Sequence, residues 1–183
     1  MSKIILGFVG EISCGKSTAT EYLKNKYGAV TFKFSDCLRD VATRMHIEKN
    51  RENIQLISTV LRQHFGDDLL SKVLAEDVRG ADAPIIITEG VRRLSDITYL
   101  KDVPGFKLVA INTDERIRYE RLRERSENVD DKNKTWEEFQ KDGQRETELR
   151  IKETMEQADF TLENNGSSED LYAQIDNLMA KLQ

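Results

Sequence analysis

Two glycines, a lysine and two serines stand close together near the start of the chain, in Gly10-Glu11-Ile12-Ser13-Cys14-Gly15-Lys16-Ser17. The apolar run Ile4 to Val9 leads into them, and a helix-like stretch, Thr18 to Leu23, comes directly after. Residue types at this spacing, Gly-x4-Gly-Lys-Ser between a strand and a helix, cradle phosphate. Glycine at both ends lets the backbone approach a polyphosphate with its N–H groups turned inward, because no Cβ blocks the approach or a positive φ. Lys16 is placed to reach the β- and γ-phosphates and Ser17 to ligate Mg²⁺, while the helix that starts there aims the positive end of its dipole at the anion. The expectation is that Gly10, Ser13, Cys14, Gly15, Lys16, Ser17 and Thr18 bind ATP with Mg²⁺. Cys14 occupies a place where small residues are the norm, and its thiol is expected to face the phosphates beside Lys16 and to react readily.

A GTPase would add an Asp-x-x-Gly switch and an Asn-Lys-x-Asp base-recognition motif, and neither stands in its proper place; Asn133-Lys134-Thr135 lacks the Asp. Directly after the second predicted strand stands Ser35-Asp36-Cys37-Leu38-Arg39. It resembles the Thr-Gly-Asp-Met-Leu-Arg stretch of adenylate kinase and related nucleoside monophosphate kinases, where the Arg grips the acceptor's phosphate; that resemblance gives the role to Arg39, whose planar fork suits phosphate. Asp36 either orients an acceptor group or a magnesium-bound water, or caps a helix. The run Thr88-Glu89-Gly90-Val91-Arg92-Arg93 resembles the Asp-Gly-x-x-Arg element of the same kinases, which implies Glu89 for a magnesium-bound water and Arg92 or Arg93 for the acceptor phosphate. In Asn112 to Arg125, the residues Arg118, Arg121 and Arg125 share one helix face, and by the same resemblance Arg121 and Arg125 belong to a lid that closes over ATP, with Arg145 and Arg150 completing the clamp. Ala158 to Gly166 is similar to the last strand and turn of dephospho-CoA kinase and nucleotide kinases, which places Asn165 at the adenine. Glu89-Gly90-Val91-Arg92 and Thr135-Trp136-Glu137-Glu138-Phe139 also resemble elements of a group of kinase-like ATPases.

These residues need a sheet edge to hold them. Short β-branched runs alternate with longer helical patterns, the signature of βαβ units and a parallel sheet covered on both faces. The runs predict strands at 4–9, 29–34, 84–89, 107–112 and 159–163, and a helical stretch at 36–80 broken once, at Gly66-Asp67-Asp68. Thr113 is a predicted N-cap, and Thr135 with Glu138 and Ser167 with Asp170 are capping boxes. The polar stretch Ser126 to Lys134 predicts a mobile loop. The resemblance covers nearly the whole chain and implies one P-loop kinase domain. It is a three-layer α/β/α fold with a five-stranded parallel sheet: core 1–35, 81–125 and 151–183, acceptor-binding insert 36–80, and lid 126–150.

Length and charge fit that reading. A chain of 183 residues is one domain of ordinary size, and its net charge of −5 with mixed signs provides no basic field for nucleic acid or an anionic membrane. The apolar runs fall far short of the ~20 residues of a membrane span. Cys14 and Cys37 are too few for a disulfide framework or a zinc site, and His46 and His64 have no neighbour to share a metal with. A cytoplasmic monomer or homodimer is expected, acting on a small phosphate-bearing molecule. The first choice of activity is transfer of the γ-phosphate of ATP to a nucleoside or deoxynucleoside monophosphate. Dephospho-CoA phosphorylation is the alternative, and a regulatory ATPase that is not a kinase the third.

Overall fold

The computed structural model describes residues 3–124 and 131–183. Its frame is a parallel sheet of five strands, β1 (Ile4–Val9), β2 (Val30–Lys33), β3 (Ile85–Glu89), β4 (Phe106–Asn112) and β5 (Phe160–Glu163), in the order β2-β3-β1-β4-β5. The predicted strands all form, each within a residue or two of its expected ends. Side chains alternate across the sheet as the pleat demands. Ile4, Leu6 and Phe8 join the core on one face, with Ile85, Ile87, Val109 and Ile111. Ile5 and Val9 join the other, with Ile86, Leu108 and Ala110. Gly7 belongs to that second face and leaves room for the Phe106 ring, which a Cβ there would meet at 2.9 Å.

Helices α1 (Lys16–Tyr27) and α9 (Ser168–Leu182) cover the first face. In α9 the buried residues Leu171, Ile175, Leu178 and Met179 recur at helix spacing. The second face is covered by α2 (Phe34–Arg44), α3 (Arg51–Phe65), α4 (Leu69–Gly80) and the short α5 (Leu94–Ile97), which bring Leu38, Ile54, Leu74 and Ile97 to that core. The stretch between β2 and β3 thus holds three helices where two were expected. The extra break falls at Met45 to Asn50, where His46 takes φ 56° and Asn50 caps α3 by accepting the Asn53 amide at 2.9 Å. The break at Gly66 is as predicted.

Beyond β4, α6 (Glu115–Glu124) is succeeded by a 3-10 turn, Asp131–Asn133, then α7 (Trp136–Gly143) and α8 (Glu146–Met155). Thr113 does not cap α6. The first helical bond there goes to the carbonyl of Asp114, which the Arg118 amide reaches at 3.0 Å, and the Thr113 hydroxyl is used elsewhere. Both predicted capping boxes form, at Thr135 and at Ser167. Tyr119, Leu122 and Phe139, with Trp136 against them, make a small separate core that joins α6 to α7. The expected loop 126–134 lies outside the described residues up to 130, and the expected boundary between residues 150 and 151 falls inside α8.

Candidate active site

Strand order reverses at β1: the chain runs out to β2 past β3 and later returns through β4. Such a switch leaves a crevice beyond the carboxyl ends of the strands. Here it is a cleft of about 2640 Å³, several times the ~300–1,000 Å³ of a single ligand pocket. The loop 10–17 forms one wall of it, α2, α3 and the segment 89–96 another, and α6, α7 and α8 a third.

The loop is already shaped as a cradle. Gly15 has φ 106°, and a Cβ on it would lie 2.2 Å from Asn164 Nδ2; a Cβ on Gly10 would lie 2.5 Å from Cys14 Sγ. Asn164, 5% exposed, donates to the Cys14 carbonyl at 2.8 Å, and the Thr113 hydroxyl donates to the same oxygen at 3.0 Å. Because a trans peptide holds its N–H opposite its C=O, two donors that anchor the Cys14 carbonyl in the interior turn the Gly15 N–H outward into the cleft. Ser13 sits at φ 60°, its hydroxyl buried without a partner among the described residues. A cradle too narrow for Cβ atoms, with outward amides and an orphaned hydroxyl, fits a phosphate chain. Lys16 Nζ rests on the Gly10 and Glu11 carbonyls, donating at 2.6 and 2.9 Å. Ser17 and Glu89 line one recess with Lys16, so a hydroxyl and a carboxylate suited to Mg²⁺ stand together beside the cradle. Glu89 is ion-paired with Lys33 Nζ at 3.2 Å.

The Cys14 thiol lies beside Lys16 as expected, accepting from Nζ at 3.5 Å, but it is 1% exposed and packs in the core with Phe8, Ile111 and Leu171. Glu11, which sequence reasoning passed over, is gripped by two cations. Arg118 Nη2 lies 3.1 Å from Oε2 and Lys152 Nζ 3.6 Å from Oε1. Arg118 is 5% exposed, donates through Nε to the Thr113 carbonyl and lies over the Phe139 ring. The loop is thereby tied to α6, α7 and α8.

On the opposite wall, Arg39 lines the cleft, and neither Asp40 nor Glu48 pairs with it. Arg51, on α3 and not foreseen, lines it too. Arg92 and Arg93 part company. Arg93 is held by Asp67 at 3.0 Å, whereas Arg92 makes no side-chain hydrogen bond or ion pair among the described residues. Arg62 reaches Asp96 at 2.8 Å, and Asp96, buried at 2% exposure, also accepts the Arg92 and Arg93 amides. This knot fastens α3 to the segment after β3.

Asp36 is not among the residues lining the cleft. Its carboxylate accepts the Lys33 amide at 2.9 Å and so closes the N-terminus of α2, as the capping role required. Asn165 also points elsewhere, exchanging bonds with Asp114; Asn164 reaches the loop in its place. Arg121 lines the cleft but donates to the carbonyls of Asn164 and Gly166, at 2.9 and 3.3 Å, which sets it at the β5–α9 turn. Arg145 lines the rim, paired with Asp142 at 2.7 Å. Arg125 lies outside the described residues. Glu148, on α8, carries a buried Oε2 with no hydrogen-bond partner among the described residues. Burial pushes its carboxyl above the usual 4.5, the nearby Glu11 adds to this, and Lys16, Arg92 and Arg118 oppose it.

The comparisons agree with this architecture. A family model described as an AAA domain matches residues 9–140. A UPF0200 protein of Methanocaldococcus jannaschii is 30% identical over 183 residues, covering 98% of this chain and 90% of that protein. The chain carries an AAA domain and belongs to the UPF0200 family. A UPF0200/UPF0201 protein of Archaeoglobus fulgidus is 32% identical over 184 residues, 97% of this chain, and this chain spans 55% of that longer relative. Among solved structures, a shikimate kinase from Bacteroides thetaiotaomicron superposes with TM-score 0.64 at 13% identity, 98% of each chain covered. This UPF0200 protein therefore has the fold of the P-loop kinases, as the sequence resemblance implied. No helix among its described residues is long and apolar enough to cross a membrane.

Proposed function

We propose that the protein transfers the γ-phosphoryl group of ATP to a small acceptor that itself bears phosphate. The observation that carries this reading is one cleft with two walls whose groups suit anions. The glycine cradle and Lys16 form one, and Arg39, Arg51 and Arg92 stand on the other without ion-pair partners among the described residues. Uncompensated guanidiniums repel one another, and a bound anion relieves that repulsion. A protein that only bound ATP would have no use for them. Phosphoryl transfer asks little covalent chemistry of the protein and much positioning and charge stabilisation. In this reading α2 to α4 hold the acceptor, α7 and α8 form a lid, and Arg121 serves the base end of the nucleotide. Ser17 and Glu89 hold Mg²⁺, which when bound neutralises charge on the phosphate oxygens. Arg125 keeps its proposed place in the lid.

Two acceptors match the second wall. A nucleoside or deoxynucleoside monophosphate would set its phosphate on Arg39 and Arg92. Dephospho-CoA would set its phosphates there and present a hydroxyl to ATP, a reading favoured by the unpartnered Glu148 carboxyl in the cleft. Incubation with Mg-ATP and a panel of nucleoside monophosphates plus dephospho-CoA should give ADP release that depends on one acceptor class. ADP release indifferent to every acceptor would instead make the protein a regulatory ATPase.

A further inference from the structure

Of the eight carboxylates that line the cleft, Glu115 and Glu124 are exposed to solvent and five others are engaged. Asp67 and Asp96 hold arginines, Glu89 holds Lys33, Asp142 holds Lys134 and Arg145, and Glu138 caps α7. Glu148 is different: it is partly buried, lines the cleft, and has one carboxyl oxygen shut from solvent with nothing among the described residues donating to it. The charges that act on it arrive from every wall: Glu11 from the loop, Lys16 from the start of α1, Arg118 from α6, and Arg92 from the acceptor side. Lys16 marks the transferring end of a bound nucleotide, and Arg92 marks the acceptor. Glu148 lines the cleft that holds both the cradle and the acceptor wall, and in this reading it stands where the two substrates meet.

A phosphate acceptor arrives as an anion with its attacking oxygen already deprotonated. It needs cations, and a carboxylate at the point of attack would repel it. A hydroxyl acceptor has the opposite need, an oxygen to receive its proton as the new bond forms. We propose that Glu148 is the general base of this enzyme and that the reacting group of its acceptor is a hydroxyl, the acceptor's own phosphate lying on Arg39, Arg51 and Arg92. The proposal rests on the phosphotransferase reading. As the hydroxyl oxygen forms its bond to the γ-phosphorus, its proton passes to the Glu148 carboxylate. The bond from that phosphorus to the β,γ-bridging oxygen breaks, and its electron pair leaves with ADP. Glu148 then releases the proton to water, so the products are a phosphate monoester, ADP and one proton. Partial burial supports the role by holding the carboxyl above its ordinary range, nearer to working pH.

The test uses γ-³²P-labelled ATP with a deproteinised small-molecule extract of the protein's own cells, and in parallel with dephospho-CoA and with AMP. Label should appear in an acid-stable phosphate monoester. Glu148→Gln should lower its rate of formation by about 10²–10³-fold while the KM for ATP stays within about twofold. The variant should lose the acidic limb of the kcat–pH profile, which a merely structural residue would not remove, and Glu148→Asp should recover part of the rate. Label in an acid-labile phosphoanhydride, or full turnover by Glu148→Gln, overturns the proposal and leaves the phosphotransferase reading standing. Label that stays in ATP, or emerges only as inorganic phosphate, overturns that reading as well.

Discussion

Lys16 spends its charge on two carbonyls of its own loop. A phosphate chain would offer it a stronger partner, so its replacement matters to ligand and little to fold. Lys16→Ala should lose phosphoryl transfer altogether with a thermal midpoint close to the parent's, checked by ADP release beside a melting curve. Glu148 should matter to the pH dependence of stability as well as to transfer. Its carboxyl titrates above the usual 4.5 in the folded protein, so between these two values the folded state binds more proton than the unfolded. Stability contributed by the neutral carboxyl is full below the unfolded value and is lost as pH rises to the folded one. Glu148→Gln should flatten that decline, and its melting temperature relative to the parent should rise across the window. Melts from pH 4 to 8 would decide it. At this scale the sequence was legible where chemistry depends on local spacing, as in the cradle's glycines and Lys16. It was silent where a side chain's direction depends on distant neighbours. Nothing near Cys14 says that its carbonyl is anchored by Thr113 and Asn164, 99 and 150 residues away, and that its thiol packs inward. Asp36 was read with two compatible roles, and the amide of Lys33 shows the capping one.

The β5–α9 turn is the element that braces the cradle, and its two adjacent asparagines divide the work. Asn164→Ala should leave the Cys14 carbonyl to Thr113 alone and weaken Mg-ATP binding by roughly tenfold, the loss of one buried hydrogen bond. Asn165→Ala, which loses only exposed bonds to Asp114, should change affinity by less than twofold; isothermal titration of both variants would compare them. The α6–α8 arm braces the other side. Arg118→Ala leaves Glu11 with the weaker grip of Lys152 alone in a mostly buried site, which should cost about 3 kcal/mol and lower the melting temperature by roughly 6–12 °C. Periodicity and capping pairs had announced β1 to β5, α7 and α9. The second break before α3 went unseen because a left-handed histidine and a lone asparagine cap carry no pattern that a window of residues can reveal. The arginines of α6 illustrate the same limit. Their shared face was evident, but that Arg118 turns inward to the loop while Arg121 turns to β5–α9 is settled by tertiary packing.

Across the whole molecule, the two walls of the cleft belong to separate sets of helices hung on one sheet, and transfer requires them to approach with water expelled. Amide exchange in α7 and α8 should slow markedly when a mimic joining ATP to the acceptor is bound, while β3, buried in the middle of the sheet, should be protected with or without it. Exchange in α7 and α8 that ignores the ligand would speak for a fixed wall. The strand order also bears on how the protein is made. The residues that name the phosphate site lie within the first 17, yet the donor that locks the Cys14 carbonyl is residue 164. On a ribosome adding about 5–20 residues each second, the loop would wait many seconds for its last brace. A nascent chain halted before β5 should therefore have its P-loop fully translated and still fail to retain ATP, the ability arriving abruptly once the turn after β5 has emerged.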